Sequence, residues 1–148
     1  GALRANRGRQ TALCHRRRAS AADFRADLVL GSRWVDGGGI ENWEAGRLWL
    51  SRFGSGYART LLGLPFRDLT GGFKAWRAAT IADIDLGTIR SEGYAFQVET
   101  TFRAHRNGAR ISEVPIVFAD RLSGQSKMSW NIAIEAAFVV PMLRWRGQ

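Results

Sequence analysis
One cysteine, two histidines and three prolines are all that the 148 residues contain of those types. Cys14 has no second cysteine to pair with, so an internal disulfide framework is excluded. A lone cysteine with two histidines does not make a structural zinc site. This usage fits a reducing compartment. No run of about 18 apolar residues occurs, so no membrane-spanning helix is expected. The first residues lack the apolar core of a secretory signal. Acidic residues are missing from the first 18 positions, which hold six arginines: Arg4, Arg7, Arg9, Arg16, Arg17 and Arg18.

What remains is ordinary globular composition, 45% hydrophobic and 24% charged. It excludes collagen-like and wholly disordered chains, and the length fits one domain with a sizeable core. The net charge of +9 is unevenly placed. Residues 1–22 form a basic tail, expected to be disordered and solvated. Arginine runs of this kind also suit nucleic acid or an anionic membrane surface. A small basic nucleic-acid-binding protein using residues 1–18 is therefore one alternative, weakened because that stretch has no aromatic side chain to stack on bases. The Arg/Ala/Gly mixture is also what out-of-frame reading of GC-rich DNA yields.

Beyond the tail, strand and helix patterns alternate, which predicts an α/β sheet. Ala26–Gly31 is a short apolar run that reads as a buried strand. Residues 36–39, Asp-Gly-Gly-Gly, read as a flexible loop. From Glu44 to Leu62, Ala45, Leu48, Trp49, Phe53, Tyr57, Leu61 and Leu62 recur at helical steps, predicting one apolar helix face that Gly63 and Pro65 terminate. Residues 73–76 suggest a short strand and 78–84 a helix. Residues 96–106 predict a helix closed by Asn107-Gly108. Residues 110–118 predict a strand, with Pro115 requiring an edge or a bulge. A last helix is expected from Trp130 to Trp145, capped by Ser129 and kinked at Pro141. Its apolar surface suits either packing on the sheet or a membrane interface.

The polar outliers share a chemistry: they suit an anion. Arg33 follows a strand directly, where α/β sheets bind ligands. Arg47 and Ser51, four residues apart, share a helix face near the adjoining loop. Residues 121–127 bring Arg121, Ser126 and Lys127 into one glycine-containing loop. Arginine grips phosphate bidentately and lysine as a point charge. Thr70-Gly71-Gly72-Phe73 reads as a tight structural turn, and Gln97 and Glu99 either reach a sugar or stand exposed on a core helix. His105 has no assigned role. Asp83 and Asp85 carry a spacing that can hold Mg²⁺ or Mn²⁺, but here they read as a surface turn. No residue is assigned as catalytic, and no metal ligands are assigned.

Seven segments in order support a resemblance. They are 26–35 (Ala-Asp-Leu-Val-Leu-Gly-Ser-Arg-Trp-Val), Gly37–Gly39, Asn42-Trp43, Thr70–Phe73, Gly93–Gln97, Glu113–Ile116 and 124–129 (Gly-Gln-Ser-Lys-Met-Ser). Together they resemble the C-terminal half of the catalytic domain of polyprenol-phosphate (dolichol-phosphate) mannosyltransferases, family 2 glycosyltransferases. The resemblance spans residues 24–138 and implies a partial GT-A fold over 23–148, with the N-terminal nucleotide-binding half missing. It implies transfer of mannose from GDP-mannose to a polyprenyl phosphate with inversion, aided by Mg²⁺ or Mn²⁺. A glucosyltransferase-type remnant is the alternative within the same class. Arg33, Arg47 and Ser51 match phosphate-holding positions, Gln97 a position near the donor sugar, and Arg121 and Lys127 a closing loop. The resemblance further implies a cytoplasmic protein, peripheral at the membrane's cytoplasmic face. The family's acidic metal motif has no counterpart upstream of Ala26. The chain is therefore expected to be a fragment, inactive alone and poorly folding.

Overall fold
A computed structural model describes residues 25–119 and 130–146. The basic tail, its boundary at residue 22, the cap at Ser129, and Arg121, Ser126 and Lys127 lie outside them.

The chain is mixed α/β. Strand β1 (Leu28–Ser32) pairs antiparallel with β3 (Lys74–Trp76) on one side and parallel with β4 (Ile111–Pro115) on the other. Leu30 stands opposite Lys74 and Glu113, and Ser32 opposite Pro115. The apolar run that predicts β1 is explained by its position. It is the middle strand of three, and Leu28 and Leu30 are almost wholly enclosed.

The strand expected over 110–118 divides in two. Pro115 ends β4, and Ile116 bridges the break: its N–H donates to the Ser32 carbonyl at 3.0 Å and its carbonyl accepts from Gly39 N–H at 3.0 Å. The chain resumes as β5 (Val117–Ala119), paired parallel with β2 (Gly39–Glu41). The expected loop at 36–39 thus contains the first residue of a strand. β2 is only three residues long and has no periodicity to read; it exists because β5 lies beside it. Gly38 allows the crossing, since a Cβ there would lie 2.6 Å from the Ser32 carbonyl oxygen.

Helix α1 (Ala45–Leu62) has the expected bounds and stops where Gly63 turns left-handed at φ +67°. Its orientation corrects the expectation. The buried face is Ser51, Ser55, Ala58 and Leu62, while Trp49 and Phe53 are each 72% exposed. Small side chains win that face because they let the helix approach the turn at Thr70, and both serine hydroxyls find a partner there.

Helix α2 (Ala78–Asp83) is followed by a single tight turn at Leu86–Thr88, and α3 (Gly93–Arg106) starts three residues before the expected Phe96. Asp83 and Asp85 are exposed, as a surface turn should be. α4 (Trp130–Arg146) packs against α1 and α3, burying Val140, while Phe138, Met142 and Trp145 face outward. Tyr57 of α1 donates to the Ala137 carbonyl at 3.1 Å. The core draws Leu28 and Leu30 from β1, Leu62 from α1, Val98 and Phe102 from α3, and Leu69 from the connecting turn.

Candidate anion site at the end of the central strand
β1 and β4 run parallel, and their C-terminal ends open toward the loop that carries Arg33 and Trp34. Arg33 is only 7% exposed, an uncommon position for a guanidinium. Its partner is Asp68, whose side chain is fully buried. Arg33 Nε donates to one carboxylate oxygen at 2.6 Å and Nη2 to the other at 2.7 Å; the Arg33 backbone N–H adds a third bond at 3.0 Å. Gly71 N–H supplies a fourth at 3.1 Å. A buried pair of this kind recovers its desolvation cost only when such geometry is complete.

Thr70 extends the network. Its hydroxyl accepts from Arg33 Nη2 at 3.1 Å and lies 3.2 Å from Ser51 Oγ and 3.1 Å from Ser55 Oγ. The turn 68–72 therefore ties the strand end to the buried face of α1. Aromatic rings join the same cluster. The Arg33 guanidinium carbon lies 5.2 Å from the ring centres of both Trp34 and Trp43. Arg47 stacks on Trp43 at 4.2 Å and Arg52 on Trp34 at 5.5 Å. Each such contact is attractive through the ring quadrupole. The indole nitrogens of Trp34 and Trp43 and the hydroxyl of Ser32 are buried without a hydrogen-bond partner. Such groups are rare in folded proteins and cost about 1–3 kcal/mol each when left unsatisfied.

Three of the residues expected from sequence to hold phosphate, Arg33, Arg47 and Ser51, thus meet in one cluster. Gln97 does not belong to it. It lines a hollow of about 230 Å³ on the α3 side, with Gly72, Lys74, Trp76 and Phe96. Lys74 reaches into that hollow. Its Nζ donates to the Gln97 carbonyl at 2.5 Å and to Thr101 Oγ1 at 2.9 Å. Burial pushes the Lys74 amine down to about 7, partly opposed by the negative charge of Asp68. Glu99 serves the fold: it accepts from Ser91 at 2.5 Å and from Arg103 at 2.6 Å, while Arg103 also holds Thr88 and the Ile84 carbonyl.

Asp68, Ser55 and Lys74 carry no signal that singles them out in the sequence, and Trp34 and Trp43 enter only as parts of the segments that carry the resemblance. Arg67-Asp68 reads as any charged turn, and burial alone gives Asp68 its importance. The described residues do not fit a divalent cation. Both oxygens of Asp68 are taken by N–H donors, and no group of three or more potential ligands occurs among the described residues. No described helix is long and apolar enough to cross a membrane.

No protein-family model matches the chain. Curated relatives do. An undecaprenyl-phosphate mannosyltransferase of Micrococcus luteus is 52% identical over 120 residues, covering 81% of this chain and 49% of that protein. A polyprenol monophosphomannose synthase of Mycolicibacterium smegmatis is 44% identical over 128 residues, covering 86% of this chain and 48% of the relative. The chain spans about half the length of the curated relatives it matches. Its kinship is with enzymes, and specifically with the polyprenol-phosphate mannosyltransferases.

Proposed function
We propose that the chain is part of an enzyme transferring mannose to a polyprenyl phosphate, and that the cluster beyond β1 receives the acceptor's phosphate. One observation carries the reading: the guanidinium groups of Arg33 and Arg47 converge on the ring of Trp43, 5.2 Å and 4.2 Å from its centre. The Ser51 hydroxyl joins them through Thr70. Asp68 and Thr70 fix Arg33 Nε and Nη2, leaving Nη1 for a ligand. Arg47 adds a second cation, from the first turns of α1.

The chemistry suits such a site. A phosphate monoester has a second pKa near 6, so its oxygens are anionic at neutral pH. The nucleophile needs little help from a base. The protein's task is to hold two phosphorylated molecules together against their repulsion, and positioning and charge stabilisation supply the rate. The donor in this reading is GDP-mannose, the fold is part of a GT-A domain, and Gln97 faces the donor sugar. Arg121, Ser126 and Lys127 are the further phosphate contacts of this reading. Mg²⁺ or Mn²⁺ is the cofactor this reading expects, and among the described residues no group of three or more potential ligands occurs to hold it. The exposed Trp49 and Phe53 of α1, and Phe138, Met142 and Trp145 of α4, suit the acyl boundary of a membrane where the lipid chain would lie. That position is peripheral, at the cytoplasmic face.

Calorimetric titration with farnesyl phosphate, a short polyprenyl phosphate, tests the reading. Binding is expected, and Arg47→Gln should weaken it about tenfold or more, the cost of one charge-assisted hydrogen bond. Farnesol should bind far more weakly. Equal binding of farnesol and farnesyl phosphate, or an Arg47→Gln variant that binds as the parent does, would overturn it.

A further inference from the structure
We propose that the indole N–H groups of Trp34 and Trp43 are themselves ligands of a phosphate monoester, donating to its terminal oxygens. The inference rests on the anion-site reading above and assigns two further binding residues to it. Both nitrogens are buried, and neither has an acceptor. The cluster's own acceptors are engaged elsewhere: Asp68 accepts from Arg33 and Gly71, and the Thr70 hydroxyl bonds with both Ser51 and Ser55. Two buried indole N–H groups, on rings packed against the buried Arg33, call for an acceptor that the described fold does not supply.

The cations on the rings say which partner. Trp34 carries Arg33 and Arg52 against its ring, and Trp43 carries Arg33 and Arg47. A guanidinium over an indole withdraws electron density from it and makes the N–H a stronger donor. The same charges favour an oxyanion over a carbonyl or a water as acceptor. Indole donates only and can never accept. Donors bond more strongly to the more negative oxygens of a dianion, so the two tryptophans favour the dianion over the monoanion. Phosphate monoesters, with three terminal oxygens, have enough lone pairs to serve both indoles as well as the guanidinium and hydroxyl groups.

The test uses the full chain with ¹⁵N-labelled indoles. Trp34→Phe and Trp43→Phe assign the two signals; each keeps an aromatic face for the arginines and deletes the N–H. Adding farnesyl phosphate should move both signals downfield, saturably, with the dissociation constant that calorimetry gives. Each Phe variant should weaken binding about fivefold to thirtyfold, the range for one lost hydrogen bond to a charged group. Binding should strengthen as pH rises from 5 to 7, through the ligand's second ionisation. The remaining indole signals report that each variant is folded. Inorganic phosphate forms the second arm. Movement with both ligands assigns the site to the phosphate group alone, and movement with farnesyl phosphate only assigns it to the lipid ester. Binding that leaves both indole signals still, or Phe variants of unchanged affinity, would overturn this inference and spare the anion site. If neither ligand binds, both fall.

Discussion

Removing the charge of Asp68 is the sharpest perturbation of the cluster. Asp68→Asn keeps the shape of the side chain and one acceptor oxygen. It places an amide NH₂ against Arg33, which now offers donors to a donor. Arg33 and Asp68 are 7% and 0% exposed at their side chains, so water cannot replace the lost carboxylate. Four N–H groups, at 2.6–3.1 Å, lose an anionic acceptor at once. Breaking a buried pair from one side costs about 3–5 kcal/mol. That is a fifth or more of the about 5–15 kcal/mol that holds a typical domain folded. Urea unfolding, followed by tryptophan fluorescence and circular dichroism, reads the loss. With a slope of about 1–3 kcal/mol per molar urea, the midpoint should fall by more than about 1 M. The double variant Arg33→Met/Asp68→Leu should recover much of the loss, because it leaves no unpaired charge behind. A cost below about 1 kcal/mol for Asp68→Asn, or a double variant as unstable as the sum of the singles, would refute this reasoning.

Two further outcomes follow from the same geometry. Lys74 takes up its proton near pH 7 when folded but near 10.4 in an unfolded chain, so the unfolded state binds more protons between those values. Stability should therefore rise with pH from about 7 toward 10, and Lys74→Met should flatten that rise; a wild-type curve that falls across this window would contradict the burial of the amine. Gly38→Ala puts a Cβ 2.6 Å from a backbone oxygen that cannot step aside, and should cost about 1–3 kcal/mol in the same urea assay.

Much of this architecture is written locally. The apolar run of β1, the glycine stop of α1 and the Asn107-Gly108 close of α3 are short-range signals, and both helices end where these predict, although α3 begins three residues early at Gly93. What the sequence conceals is set by neighbours. The apolar stripe of α1 marks a helix but not its inward face, because Thr70, 15 to 19 residues away, supplies the partners that draw Ser51 and Ser55 inside. β2 has no pattern of its own and depends on β5, far along the chain. The candidate site divides the same way. Arg33, Arg47 and Ser51 announce themselves as a cation after a strand and a helical pair. Asp68 gains its importance only when the fold buries it against Arg33, and the unsatisfied N–H groups of the two tryptophans are visible only in the structure.

The central claim is that the cluster beyond β1 receives the acceptor phosphate, and a crystal structure of the chain with farnesyl phosphate tests it most directly. The account predicts the phosphorus atom beside the Arg47 guanidinium, with phosphate oxygens within hydrogen-bond distance of Ser51 or Arg33. A fully occupied phosphate seated elsewhere, such as against Arg103 and Arg106 in the hollow beside α3, would contradict it.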